Sequence, residues 1–99
     1  MSEVRTVAAD DLWLSGAFAT DVVALHFTWL PQWEAVHAVL PALERLLLPL
    51  GARPHWGKCF TATPPELAAA YPMLDRFRQL RDRQDPERKF DNEFLDRFL

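Results

Sequence analysis

Six polar residues stand out because the segments that carry them are otherwise apolar: Glu3 and Arg5, His26 and Thr28, His55 and Lys58. Glu3 and Arg5 are two apart in the alternating stretch SEVRTVAA, and His26 and Thr28 are two apart in DVVALHFTWL. In a strand, a spacing of two puts both members of a pair on the same face. If the strands are neighbours, a carboxylate, a guanidinium, an imidazole and a hydroxyl share one polar face opposite a greasy one. Such a face is costly unless it binds something polar. Read from the residues alone, a plainer alternative stands beside it. A glutamate beside an arginine on a strand is often an edge ion pair worth little, and a lone strand histidine is commonly a hydrogen-bonded structural residue. Other chemistries lack their residues. There is no Gly-rich phosphate loop, no nucleophile elbow and no paired cysteines. His55 and Cys59 lie four apart with no further ligand at useful spacing, which argues against a metal site.

Positioning these residues requires an ordered frame. The alternation of SEVRTVAA predicts a first strand with Val4, Thr6 and Ala8 on one side and Glu3, Arg5 and Val7 on the other. DDLWLSGAF reads as an excursion over the sheet. Residues 21–30 predict a second strand whose face of Val23, Leu25, Phe27 and Trp29 is wholly apolar and is expected to meet packed helices. Pro31 is placed to open a helix. Val36, Val39, Leu40, Leu43, Leu46, Leu47 and Leu50 form its apolar stripe, Pro41 should kink or split it, and Gly51 ends it. ARPHWGKCF is expected to return as a third strand, with Gly57 at a bulge or a close backbone approach. Thr63-Pro-Pro-Glu66 has the form of a capping box and predicts a short helix through Ala70. A further helix runs from Pro72, with Met73, Leu74, Phe77 and Leu80 inward, to the stop at Asp85–Pro86. The last helix is capped by Asp91 or Asn92 and turns Phe94, Leu95 and Phe98 inward. The expected class is α+β: an antiparallel sheet with helices packed on one face, in a single domain over residues 1–99.

Ninety-nine residues with 49% hydrophobic content can fill one modest core, and four Trp with seven Phe are a heavy apolar load for it. A formal net charge of −3 leaves no basic stripe, which argues against nucleic acid. The one cysteine, Cys59, excludes an internal disulfide and fits a reducing compartment, the cytoplasm. The longest apolar tract, in residues 36–50, is broken by His37, Pro41, Glu44, Arg45 and Pro49, so it does not read as a membrane span. No secretion signal is visible at the start.

The stretches SEVRTVAADDLWLS, HFTW, RPHWGK and FDNEFL occur together and in this order, and over Ser2–Leu99 they resemble the C-terminal part of alditol oxidases. These are relatives of the D-arabinono-1,4-lactone and L-gulonolactone oxidases, within the vanillyl-alcohol-oxidase type of FAD enzymes. The resemblance implies that Glu3 and Arg5 hold substrate hydroxyls, that His26 and Thr28 line a polyol site, and that Lys58 lies near the reacting hydroxyl and the flavin. It implies catalytic roles for Arg5 and Lys58, and cofactor contacts for Lys58, His55 and Asn92. As hydride leaves a carbinol, negative charge builds on its oxygen, and two fixed cations stabilise that charge. The implied partners are a sugar alcohol such as xylitol or sorbitol, molecular oxygen, and an FAD-binding domain outside these residues that carries the flavin covalently. Alone, the chain is then expected to be inactive. An aldonolactone oxidase, or a non-catalytic binding module of the same fold, are the competing expectations.

Overall fold

The computed structural model describes residues 1–99. Its elements are β1 (Ser2–Val7), β2 (Val22–Phe27), α1 (Trp33–Leu47) with a 3₁₀ turn at Leu48–Leu50, α2 (Pro64–Ala70), α3 (Leu74–Gln84) and α4 (Glu93–Phe98). The class is α+β, as expected: one antiparallel two-stranded sheet and four α-helices.

The hairpin register runs from Ser2 opposite Phe27 to Val7 opposite Val22. The excursion between the strands is closed by two aspartates. Asp10 accepts from the Leu12 N–H and the Ser15 hydroxyl, while the Asp21 carboxylate accepts from the Ala9 N–H. Short acidic side chains bonded to nearby backbone amides favour this kind of turn over a longer strand. The apolar face of the hairpin differs from expectation. Val4, Val23 and Leu25 are exposed, at 71%, 60% and 46% of their surface, so no helix covers them.

α1 runs continuously through Pro41, so the proline does not split it. The expected stripe is only partly used. Val36 and Leu40 are buried, whereas Val39, Leu46 and Leu50 stand in solvent. Trp33, not Pro31, is the first helical residue. Gly51 does end the segment, with φ +81°, a left-handed conformation that costs glycine nothing.

The anticipated third strand does not form. Residues 52–60 hold no strand, because β1 and β2 pair only with each other and Pro54 has no N–H to give a ladder. Gly57 sits in a turn rather than at a bulge, and a Cβ there would meet only the His55 ring at ordinary contact, 3.5 Å.

The core lies among α2, α3, α4 and the loops that join them. Ala62, Leu67, Tyr71, Leu74 and Phe98 form one buried cluster, with Leu14, Leu48, Trp56, Phe60, Ala70 and Leu99 packed against it. Phe60 meets Phe98 edge-on at 5.3 Å, and Trp56 lies against Tyr71 at 4.6 Å. The Glu66 carboxylate accepts from both the N–H and the hydroxyl of Thr63, fixing the start of α2. The Asn92 side chain accepts from the Leu95 N–H and caps α4, in line with one of the two expected caps.

Candidate functional site

β1 and β2 bring three of the sequence-predicted residues together. Glu3 lies directly opposite His26 in the register, and Arg5 follows on the same face. The Arg5 guanidinium donates to the Glu3 carboxylate at 2.5 Å, and His26 Nδ1 stands 3.7 Å from the same oxygen. Thr28 lies just past β2, where its N–H donates to the Met1 carbonyl at 2.8 Å and carries the ladder one step further. Its hydroxyl has no protein partner. The face therefore presents a carboxylate flanked by a cation and an imidazole, with an uncommitted hydroxyl beside them.

His55 and Lys58 belong to a second group. In their turn, the His55 carbonyl accepts from the Lys58 N–H, and His55 Nδ1 accepts from the Gly57 N–H, each at 3.0 Å. A neutral His55 consequently carries its proton on Nε2 and offers it outward. The Lys58 ammonium is exposed and makes no ion pair or hydrogen bond. This differs from Arg5, whose charge Glu3 already offsets. Asn92, expected at the cofactor, spends its side-chain oxygen on capping α4. No hydrogen bond or ion pair joins Lys58, His55 or Asn92 to Glu3, Arg5, His26 or Thr28.

What holds the loop group was not apparent from the sequence. Arg53 donates through Nε to the Ala70 carbonyl at 2.9 Å and through Nη1 to the carbonyls of Phe18 at 2.9 Å and Gly16 at 3.3 Å. Trp56 Nε1–H donates to the Leu14 carbonyl at 3.1 Å. The buried Tyr71 hydroxyl donates to the Pro54 carbonyl at 2.6 Å. Burial pushes the Tyr71 phenol up to about 12, against the opposing pull of the Arg53 charge. The available signal was the presence of Arg53 and Trp56 inside RPHWGK, and of one tyrosine in the whole chain.

Comparison with known proteins bears on this arrangement. The family described as "D-arabinono-1,4-lactone oxidase" matches residues 2–98. The chain is 50% identical over 93 residues to an "Alditol oxidase" of Streptomyces sp., covering 94% of the chain and 22% of that relative. It is 38% identical over 99 residues to an "L-gulono-1,4-lactone dehydrogenase" of Mycobacterium tuberculosis, covering 98% and 22%. It is 31% identical over 98 residues to an "L-gulonolactone oxidase" of Bos taurus, covering 96% and 22%. The chain thus spans about a fifth of the length of the curated relatives it matches.

Proposed function

Because the chain belongs to the D-arabinono-1,4-lactone oxidase family, we propose that it serves as the substrate-facing part of an FAD-dependent oxidase. The reaction removes the C–H hydride and the O–H proton of a terminal hydroxyl on a sugar alcohol such as xylitol or sorbitol. Molecular oxygen takes up the two electrons and two protons as hydrogen peroxide, leaving an aldose. The flavin, when bound, supplies the hydride acceptor, and it is held by polypeptide outside these 99 residues.

The observation that carries this reading is the hairpin register, which sets Glu3 against His26 with Arg5 bonded to Glu3. The Glu3 carboxylate accepts from hydroxyls, His26 can donate to them, and Thr28 adds a neutral donor and acceptor. Glu3 offsets the Arg5 charge, so the group takes a neutral polyol rather than an anion. Lys58, an exposed cation without a partner, supplies an uncompensated charge for an oxygen that becomes negative as hydride leaves. The donor set also fits a flavin, because an unpaired ammonium stabilises an electron-rich ring. No helix is long and apolar enough to cross a membrane, and the lone thiol of Cys59 suits the cytoplasm.

Aldonolactones are the second candidate substrate, favoured by the names of the mycobacterial and bovine relatives. The test is peroxide formation by the oxidase assembled from this chain and its flavin-binding region. Turnover of alditols well above aldonolactones supports the first reading. The reverse order establishes the second, and turnover of neither overturns both.

A further inference from the structure

We infer that Tyr71 and Arg53 are positioning residues for Lys58. They fix the backbone of residues 53–58 so that an ammonium with no partner of its own is delivered to one place. The inference rests on the role proposed above for Lys58.

Residues 52–63 contain neither helix nor strand. A lysine side chain is flexible and keeps its rotamer freedom unless something restrains it. Because Lys58 makes no side-chain bond, its placement comes entirely from its backbone. The local turn, in which the His55 carbonyl accepts from the Lys58 N–H, sets shape but not orientation. Orientation comes from long-range bonds: those before the lysine fall on Arg53, Pro54 and Trp56, and beyond it Thr61 donates to the Glu44 carboxylate. Arg53 ties the segment to the carbonyls of Gly16, Phe18 and Ala70, which belong to two separate parts of the chain. Tyr71, 1% exposed and at the end of α2, holds the Pro54 carbonyl at 2.6 Å. Pro54 donates nothing itself, so this carbonyl is its only backbone handle. Trp56 adds a bond to Leu14 and packs on the Tyr71 ring.

The geometry is economical in one respect. A guanidinium presents several donors in a rigid planar fork, and so can reach three carbonyls at once where a lysine could not. A buried phenol that stays protonated keeps its O–H to donate. Both groups act on main-chain carbonyls, so neither need touch substrate or cofactor to control where Lys58 sits.

Two variants separate positioning from general stability. Tyr71→Phe keeps the ring against Trp56 and removes one hydroxyl, and Arg53→Lys keeps the charge and removes the fork. In the 99-residue chain, ¹⁵N relaxation order parameters of residues 55–58 are expected near 0.85 and to fall below about 0.6 in the double variant, while those of β1 and β2 hold. Unchanged order at 55–58 in the double variant would overturn the inference. In the assembled oxidase, Tyr71→Phe is expected to lower kcat/KM about 10-fold when Lys58 is present and not further when Lys58→Ala is already in place. An equal loss in both backgrounds would show a merely structural tyrosine and overturn the inference. If Lys58→Ala itself leaves turnover unchanged, the proposed function fails, and the order parameters still decide whether the clamp exists.

Discussion

At the scale of single residues, the candidate site contains a balanced pair, Arg5 with Glu3, and an ammonium, Lys58, that has no partner. Arg5 and Glu3 form an exposed pair, worth roughly 0–1 kcal/mol to folding, so their value lies in what they present rather than in stability. Arg5→Gln is expected to leave the melting temperature within about 2 °C of the parent while weakening polyol turnover in the assembled oxidase. Thermal unfolding followed by circular dichroism checks the first half, and peroxide assays the second. Tyr71 is the opposite case, a buried phenol bonded to a carbonyl. Its ionisation is raised from 10 to about 12, so the folded state holds its proton where the unfolded chain releases it. The stability this contributes is complete below about pH 10 and is lost as pH rises towards 12. As the chain has one tyrosine, absorbance at alkaline pH reads this group alone. A midpoint near 10 in the folded chain would contradict the buried bond.

At the scale of elements, the two strands were legible because alternation of polar and apolar residues is a local signal. The alternation told which residues share a face, whereas the register that sets Glu3 opposite His26 came from the pairing itself. The capping box at Thr63 was equally local, and it is present. The Glu66 carboxyl is held below its usual range by the Thr63 backbone N–H first and the Thr63 hydroxyl second. The support it gives α2 is present above the ordinary carboxylate value and is lost as pH falls through the depressed one. Thr63→Ala is expected to cost about 1 kcal/mol in chemical denaturation. The failures have a common cause. RPHWGKCF has the apolar content of a strand, but it pairs with neither free edge of the two-stranded sheet. It is anchored instead by bonds to positions 17 to 42 residues away: the Arg53 and Trp56 side chains donate to distant carbonyls, and the Tyr71 hydroxyl donates to the Pro54 carbonyl, contacts that no pattern of neighbouring residues announces. The α1 stripe misled similarly, because periodicity says which residues share a face and not whether anything covers it. Leu67→Ala, at a fully buried site, is expected to cost about 2–5 kcal/mol. Leu25→Ala, on the uncovered hairpin face, is expected to cost under about 1 kcal/mol. Equal losses at the two positions would contradict the described burial.

At the scale of the whole molecule, the core is small for the apolar content. Eight of 99 residues are buried, and large side chains including Val4, Leu12, Leu30, Trp33, Leu46 and Leu50 remain exposed. Exposed apolar surface of this kind accords with the role proposed above, beside a flavin-binding region. In the proposed oxidase the hairpin carries the group that holds the polyol, and the clamped loop carries the charge that answers the reacting oxygen. The most direct test of that division is the steady-state kinetics of Lys58→Ala in the assembled oxidase with an alditol substrate. The account predicts that kcat/KM falls by more than about 100-fold, the scale of losing one preorganised charge stabiliser, with the fold unchanged by circular dichroism. Turnover equal to the parent's would contradict it.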